Sequence, residues 1–237
     1  LTDVTGVQTC ALPISSVDMY LHYQYTPEPY TLLKGVKKLP AGHFLVMSPD
    51  KWIAEPARYW NIEETPQLPS NILGNDSTLV CIRQSLEEAT RLCLRSDVPV
   101  GIALSGGIDS GAIASLAQKH YPEPMHAIAV GYPGRPHYDE RGEASTLAEK
   151  LGMVFHEVEL PVDAFIDFFP RLVEILDEPI ADIAAFGHYA VSKAAADLGI
   201  KVLLTGIGGD EVFWGYQWTA DSVIINMKNS LVNKLWL

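Results

Sequence analysis

Two adjacent glycines between an apolar segment and a helical one constrain this chain more than any other feature. Residues 98–117 read VPVGIALSGGIDSGAIASLA, in which residues 100–104 are predicted to form a buried strand and a helix is predicted to begin at Ile108. Glycines let the backbone approach a ligand closely, and the unpaired N–H groups of a first helical turn point at the same position. The pattern therefore predicts an anion site, with a phosphate as the natural ligand.

The polar side chains of this turn narrow the prediction. Ser105 and Ser110 offer hydroxyl donors, whereas Asp109 would repel a bare polyphosphate. The carboxylate suits the site only if Mg²⁺ lies between it and the phosphates. Glycine pairs also occur in α/β proteins that bind no ligand, so the spacing alone leaves a purely structural turn as the alternative.

A second glycine-rich turn follows a later strand. Residues 201–216 read KVLLTGIGGDEVFWGY, and the predicted strand at residues 202–204 ends in glycines followed by Asp210. The carboxyl ends of parallel strands meet at one edge of a sheet, so the two turns are expected to hold a Mg²⁺-polyphosphate from both sides. Alone, the second motif is also compatible with an ordinary turn.

The alternation of apolar strands and amphipathic helices predicts the fold class. Strands are predicted at residues 126–130 and 154–160, and helices at 78–95, 139–151, 162–176 and 185–198. Pro170 is expected to begin a second segment within the third of these helices. This order is typical of α/β proteins, so we expect a doubly wound parallel sheet with ligands at the carboxyl ends of its strands.

The two motifs together resemble those of a known family. The string SGGIDS resembles the pyrophosphate loop of the ATP pyrophosphatase families, which cleave ATP between its α and β phosphates and leave the substrate adenylylated. With GIGGDEVFWGY after it, the order resembles that of the glutamine-hydrolysing asparagine synthetases. The DEP turn at residues 177–179 and the YAVSK of residues 189–193 are similar to the same family.

This resemblance implies an adenine nucleotide α hydrolase-like sheet that binds ATP and Mg²⁺. By their positions in the two motifs, Asp109 and Asp210 would hold the metal ion. The residues expected to contact the nucleotide lie at strand ends and in the two turns: Ala103, Leu104, Ser105, Gly106, Gly107, Asp109, Ser110, Val130, Thr205, Gly206, Gly208 and Gly209.

The implied enzyme is a carbon–nitrogen ligase that takes its nitrogen from glutamine. It would adenylylate the side-chain carboxylate of aspartate, release pyrophosphate, and use glutamine-derived ammonia to displace AMP and give asparagine. The catalytic lysine and the glutaminase cysteine of the family are expected outside residues 1–237, so this stretch alone is expected to be inactive. The likeness also suggests a homodimer.

Two positions depart from the family pattern. Ile207 stands where the family usually has Glu or Asp, and Trp214 where it usually has Gly. Isoleucine can neither transfer a proton nor orient an amine. Relatives that make β-lactams also replace this carboxylate, so one alternative is an enzyme that amidates or cyclises another carboxylate. An alternative of a different class is a non-catalytic nucleotide-binding protein.

The likeness also divides the chain. Residues 4–14 resemble a translated sequencing adapter, so residues 1–14 are interpreted as an artefact and the remainder as an internal fragment. Residues 15–70 resemble the C-terminal edge of a glutaminase domain and its linker, and are expected to be β structure with a hairpin between residues 43–47 and 52–54. Residues 71–237 resemble the N-terminal part of the synthetase domain.

Composition argues against several classes of protein. With 17 Lys and Arg against 29 Asp and Glu, the net charge is −12, which disfavours a nucleic-acid-binding surface. No stretch reaches the ~18 apolar residues that cross a membrane. Cys10, Cys81 and Cys93 lack metal-ligand spacing and read as reduced thiols. We therefore expect a cytoplasmic protein whose partners are small molecules, without nucleic acid or membrane.

Overall fold

A computed structural model describes residues 12–50, 55–64, 76–179, 181–182 and 184–235. The chain divides into two compact units, of which the first combines Leu1–Gly74 with Ile166–Ala185 and the second combines Asn75–Phe165 with Phe186–Leu237. Among the described residues, no helix is long and apolar enough to cross a membrane. The boundary between a glutaminase remnant and a synthetase domain stays a prediction.

The first unit begins with a helix that the sequence pattern does not predict. Helix α1 spans Ile14–Tyr23, within the part of the chain that is expected to be β structure. The helix ends at Gln24, whose left-handed backbone directs its N–H to the carbonyl of Tyr20 over 2.8 Å. The expectation of β structure is wrong here, because residues 14–23 contain no Gly or Pro to stop a helix and the buried Ser16 anchors one face.

One strand of the predicted hairpin lies within the described residues. Strand β1, His43–Phe44, pairs antiparallel with strand β2, Ala57–Arg58, and a 3₁₀ turn follows at Ile62–Glu64. The expected partner at residues 52–54 lies outside the described residues. Gly42 explains the register, since its carbonyl accepts the N–H of Tyr59 over 2.9 Å and its Cα lies against the carbonyl of Trp60.

From residue 76 onward, helices alternate with strands. The elements are α2 (Asp76–Cys93), β3 (Val100–Ala103), α3 (Ile108–His120), β4 (His126–Gly131), α4 (Arg141–Leu151), β5 (Val154–Glu159), α5 (Val162–Ile175), α6 (Ala184–Asp197), β6 (Val202–Leu204), α7 (Gly209–Phe213) and α8 (Gln217–Leu235). Pro170 does not begin a new segment, because α5 continues through it. Proline removes only one backbone donor, and a helix with a strongly apolar face can tolerate that loss.

The sheet of the second unit is parallel, with strand order β5-β4-β3-β6. The chain moves outward from β3 to β5 and then returns to the other side of β3, so the order reverses between β3 and β6. One face packs Ile102 of β3 against Ala114 of α3 and Ala148 of α4, and the other packs Ile128 of β4 against Ala195 of α6. The prediction of a doubly wound parallel sheet is confirmed, and its switch point lies between β3 and β6.

Candidate functional site

The first glycine turn, Ser105-Gly106-Gly107, joins the end of β3 to the start of α3. Ser110 closes it from inside the helix: its hydroxyl accepts the N–H of Ser105 over 3.1 Å and lies 2.8 Å from the Ser105 hydroxyl. Ser110 is only 5% exposed. Its hydroxyl therefore serves the internal hydrogen bonds of the turn, and its predicted contact with a ligand stays a prediction.

The second glycine turn, Thr205–Gly208, follows β6 and touches the first. A Cβ placed on Gly206 would lie 2.5 Å from the backbone nitrogen of Ser110. One placed on Gly209 would overlap the carboxylate of Asp109. Both glycines are needed because the two turns approach too closely for any side chain. The two turns are about a hundred residues apart in sequence, but they lie side by side because β3 and β6 are neighbouring strands at the switch point.

The two predicted metal ligands lie in the helices that follow these turns, Asp109 in α3 and Asp210 in α7. Asp109 is half-buried against Gly209, and Asp210 is the next residue, with its carboxylate folded onto the Cα of Gly215. The charges of both carboxylates also act on Tyr216: its pKa is raised first by its hydrogen bond to Glu211, then by burial, and also by the charges of Glu211, Asp210 and Asp109. The structure thus gathers both carboxylates at one edge of the sheet.

This donor set suits Mg²⁺ held together with phosphates. Within the described ranges, no group of three or more His, Cys, Asp and Glu side chains is placed to hold a metal by itself. In phosphate sites, however, Mg²⁺ usually takes one or two carboxylates and completes its octahedron with substrate phosphates and water. Asp109 and Asp210 supply that pair of carboxylates, and the assignment stays a prediction.

Glu211 and Tyr216 fix the segment that carries Asp210, a role that the sequence analysis missed. The carboxylate of Glu211 accepts the N–H of Gly208 and the hydroxyl of Tyr216, each over 2.9 Å. Hydrogen bonds from its own backbone N–H and from Tyr216 hold the pKa of Glu211 below its ordinary value. The signal was a Glu inside a helix of only five residues and a Tyr just after it.

A buried ion pair next to the first glycine turn was also missed. Asp139 and Arg141 are 2% and 3% exposed in their side chains and are joined by a hydrogen bond of 2.8 Å. Arg141 lies against the Cα of Gly131, where β4 ends. Val130, one residue earlier, is half-buried, as is Ala103 at the end of β3. Helix α4 begins at Arg141 instead of the predicted Asp139, because the Asp139 carboxylate accepts the Arg141 N–H over 3.1 Å.

Comparison with known proteins identifies the family. The family model described as asparagine synthase matches residues 81–235, which include both glycine turns. The chain belongs to the asparagine synthase family. The likeness drawn from the two motifs is thereby confirmed.

Individual relatives extend this result. A protein of Mycobacterium bovis described as a putative glutamine-hydrolysing asparagine synthetase is 34% identical over 219 residues, which cover 91% of this chain and 32% of that protein. Amidase chry2 of Gibberella zeae is 30% identical over 207 residues, covering 81% and 31%. This asparagine synthase family chain spans about a third of the length of these curated relatives. Among solved structures, an NH₃-dependent NAD synthetase of Campylobacter jejuni has 17% identity and a TM-score of 0.40, covering 58% of this chain and 60% of that one.

The two residues that depart from the asparagine synthase family pattern are both exposed to solvent. Ile207, in the second glycine turn, is 70% exposed, and Trp214, after α7, is 56% exposed. Trp214 adopts the left-handed backbone conformation, with φ of 60°, that glycine adopts without strain. A bulky residue therefore stands at a position whose backbone favours the glycine of the family.

Proposed function

We propose that this chain forms the nucleotide-binding part of an ATP-dependent amidotransferase of the asparagine synthetase type. The observation that carries the proposal is the contact between the two glycine turns, with Asp109 lying against Gly209. Two backbone turns at the switch point of a parallel sheet, each followed by a carboxylate, suit a polyphosphate held with Mg²⁺.

Each part of the site has a distinct role in this proposal. The N–H groups of the first glycine turn and of the first turn of α3 would bind the β and γ phosphates. Asp109 and Asp210 would hold Mg²⁺, which neutralises the charge of the leaving pyrophosphate when it is bound. Strand-end residues would contact the rest of the nucleotide: Ala103, Leu104, Val130, Thr205 and Gly206.

The proposed reaction has two steps. In the first, a carboxylate oxygen of the acceptor attacks the α phosphorus of ATP, the bond to the bridging oxygen of the β phosphate breaks, and pyrophosphate leaves. In the second, glutamine-derived ammonia attacks the acyl carbon and AMP leaves with the oxygen. The chain has SGGIDS in place of a GxxxxGK[ST] loop, so we expect AMP and pyrophosphate as products instead of ADP and phosphate.

Aspartate is the acceptor that the family favours. Exposed Ile207 supports a second candidate, amidation or cyclisation of another carboxylate, and relatives named as amidases are consistent with it. In both cases, residues of this chain position the nucleotide and stabilise developing negative charge. A cytoplasmic location and a homodimer are further parts of the proposal.

Calorimetric titration of the chain with ATP tests the nucleotide site. We expect binding with Mg²⁺ and little binding with EDTA. Asp109→Asn should weaken ATP binding more than Ser115→Ala does. Ser115 is a suitable control because its hydroxyl donates to the Gly111 carbonyl over 2.8 Å inside α3. Equal affinity in wild type and Asp109→Asn would refute the metal assignment.

The reaction is tested on the longer protein that contains this chain. Phosphorus NMR with ATP, aspartate and glutamine should show AMP and pyrophosphate. ADP as the main product would contradict the proposal. ATP binding without any nucleotide cleavage, across a panel of carboxylic acids, would favour the non-catalytic alternative.

A further inference from the structure

The central amide of the first glycine turn is already occupied by an anion of the chain itself. The N–H of Gly106 donates to Oε2 of Glu140 over 3.2 Å, across 34 residues of sequence. Backbone amides in such turns are the donors that a phosphate oxygen uses. A polyphosphate entering the turn must therefore take this donor from Glu140.

The backbone keeps the Glu140 carboxylate beside the turn. A Cβ placed on Gly106 would lie 2.9 Å from Cβ of Glu140, 2.9 Å from Cβ of Glu143, and 3.2 Å from the carbonyl oxygen of Glu140. The turn thus rests directly on the start of α4. Because the Cα of Glu140 cannot move away without moving the helix, the turn stays within reach of its carboxylate even after the amide is released.

The residues on both sides of Glu140 are held by the buried ion pair. The Asp139 carboxylate accepts the N–H of Tyr132 over 2.8 Å, and the Arg141 guanidinium donates to the carbonyl of Tyr132 over 2.7 Å. Glu157 and Glu159 of β5 each lie 3.6 Å from the same guanidinium. Glu140 therefore projects from a fixed backbone, while its own side chain is exposed and can rotate.

We propose that Glu140 is a selectivity residue of the nucleotide site, occupying the Gly106 amide and disfavouring polyphosphates that carry no divalent cation. The inference rests on the proposed function. A metal-free polyphosphate would bring its full negative charge next to Glu140, and like charges repel. A cation-bound polyphosphate carries less charge, so it displaces the Glu140 carboxylate more easily.

Removing the Glu140 charge should affect ligand affinity differently from removing the charge of a predicted metal ligand. Removing the charge of Asp109 or Asp210 should weaken binding of the cation-bound ligand, because each would contribute an oxygen to Mg²⁺ in the proposed site. Removing the charge of Glu140 should instead strengthen binding of the metal-free ligand and leave the cation-bound ligand nearly unchanged. The two effects can be separated with one simple probe, inorganic pyrophosphate.

The test is calorimetric titration of the whole chain with pyrophosphate, once with MgCl₂ and once with EDTA. Glu140→Gln should raise the metal-free affinity by about fivefold and change the Mg²⁺-pyrophosphate affinity by less than about twofold, as expected for one exposed like charge at close range. Glu143→Gln is the matched control, since it removes the same charge from the same helical turn, which also touches Gly106. Circular dichroism melting confirms that each variant is folded.

The outcomes are distinct. A metal-free affinity that rises in Glu140→Gln but not in Glu143→Gln supports the inference. Equal rises in both variants overturn it in favour of a general field effect, and weaker Mg²⁺-pyrophosphate binding in Glu140→Gln overturns it in favour of a supporting contact. If folded wild type binds no pyrophosphate even with Mg²⁺, the proposed nucleotide site fails and the inference fails with it.

Discussion

The carboxylate of Glu211 accepts the hydroxyl of Tyr216 over 2.9 Å, and through this bond it ties the start of α7 to the residues that follow it. The same carboxylate accepts the N–H of Gly208. Asp210 lies between these attachment points, with its carboxylate on the Cα of Gly215. The position of a predicted metal ligand therefore depends on a hydrogen bond in which it takes no part.

Tyr216→Phe should test this dependence. The change removes only the hydroxyl and keeps the ring stacked on Trp218, with ring centroids 4.2 Å apart. We expect Mg²⁺-ATP affinity to fall about threefold to tenfold, the range of a typical lost hydrogen bond at an exposed site. Calorimetry measures this affinity, and Tyr30→Phe, which removes a tyrosine hydroxyl from the other unit, is the control. An unchanged affinity would show that Asp210 is held without the Glu211–Tyr216 bond.

The same variant identifies the Tyr216 titration. The pKa of Tyr216 is raised above its ordinary value of 10.0, so its hydrogen bond stabilises the fold below pH 10 and the contribution is lost as pH rises through the higher pKa. Ultraviolet titration of tyrosinate in the wild type should include a group that titrates above pH 10. That group should be missing from Tyr216→Phe, and its persistence there would assign it to another tyrosine.

Two glycine-to-alanine changes should differ in their effects: one should weaken ligand binding, and the other should stabilise the fold. Gly209→Ala would drive a methyl group into the Asp109 carboxylate and is expected to weaken Mg²⁺-ATP binding roughly tenfold or more, because a ligand displaced by about 1 Å loses its geometry. Gly187→Ala, within α6, meets no atom within 4 Å and should stabilise the fold by about 0.5–1 kcal/mol. Calorimetry and thermal melting measure the two, and normal ATP affinity in Gly209→Ala would contradict the contact.

Acid should weaken the fold through Asp139. Hydrogen bonds from Arg141, and then from the N–H of Tyr132, hold the pKa of Asp139 well below its ordinary value of 3.8. The ion pair therefore stabilises the fold above pH 3.8, and the contribution is lost as pH falls through the lower folded-state pKa.

Asp139→Asn should lower the melting temperature at neutral pH, because the buried Arg141 charge loses its hydrogen-bonded carboxylate. It should also reduce the further fall in acid, because an amide has no proton to gain. The matched control is Asp197→Asn, which breaks an exposed pair with Lys193 and should change the melting temperature little. If the two variants melt alike at neutral pH, the buried pair contributes no more than a surface one.

Ile207→Glu should report on the acceptor. Since Ile207 is exposed, a glutamate there is not forced into an apolar interior, and the variant should fold normally. If aspartate is the natural acceptor, restoring a carboxylate should raise aspartate-dependent pyrophosphate release in the longer protein by about 10²-fold or more. If the site serves another carboxylic acid, the rate with aspartate should stay low. Rapid asparagine formation by the unmodified protein would show that the carboxylate is dispensable.

Local patterns in the sequence determined the fold class and the two glycine turns. Apolar runs, glycine pairs and caps act over a few residues, so β3, α3 and β6 lie close to where the sequence predicts them. The reversal in strand order then follows from the α/β class, and with it the meeting of Asp109 and Gly209. The expectation of β structure from residue 15 onward, which came from turn signals and the likeness, is wrong at residues 15–23, where nothing in the sequence stops a helix.

Only the tertiary structure decided which side chains surround those turns. The contact of Glu140 with Gly106, the fit of Arg141 against Gly131 and the pairing of β1 with β2 join residues whose spacing carries no periodic signal. Each depends on where whole strands and helices are packed, and the position of one element relative to another is set by the complete core. A sequence can therefore predict the glycine turn itself, while the carboxylate that accepts its amide is known only when the helix beside it is in place.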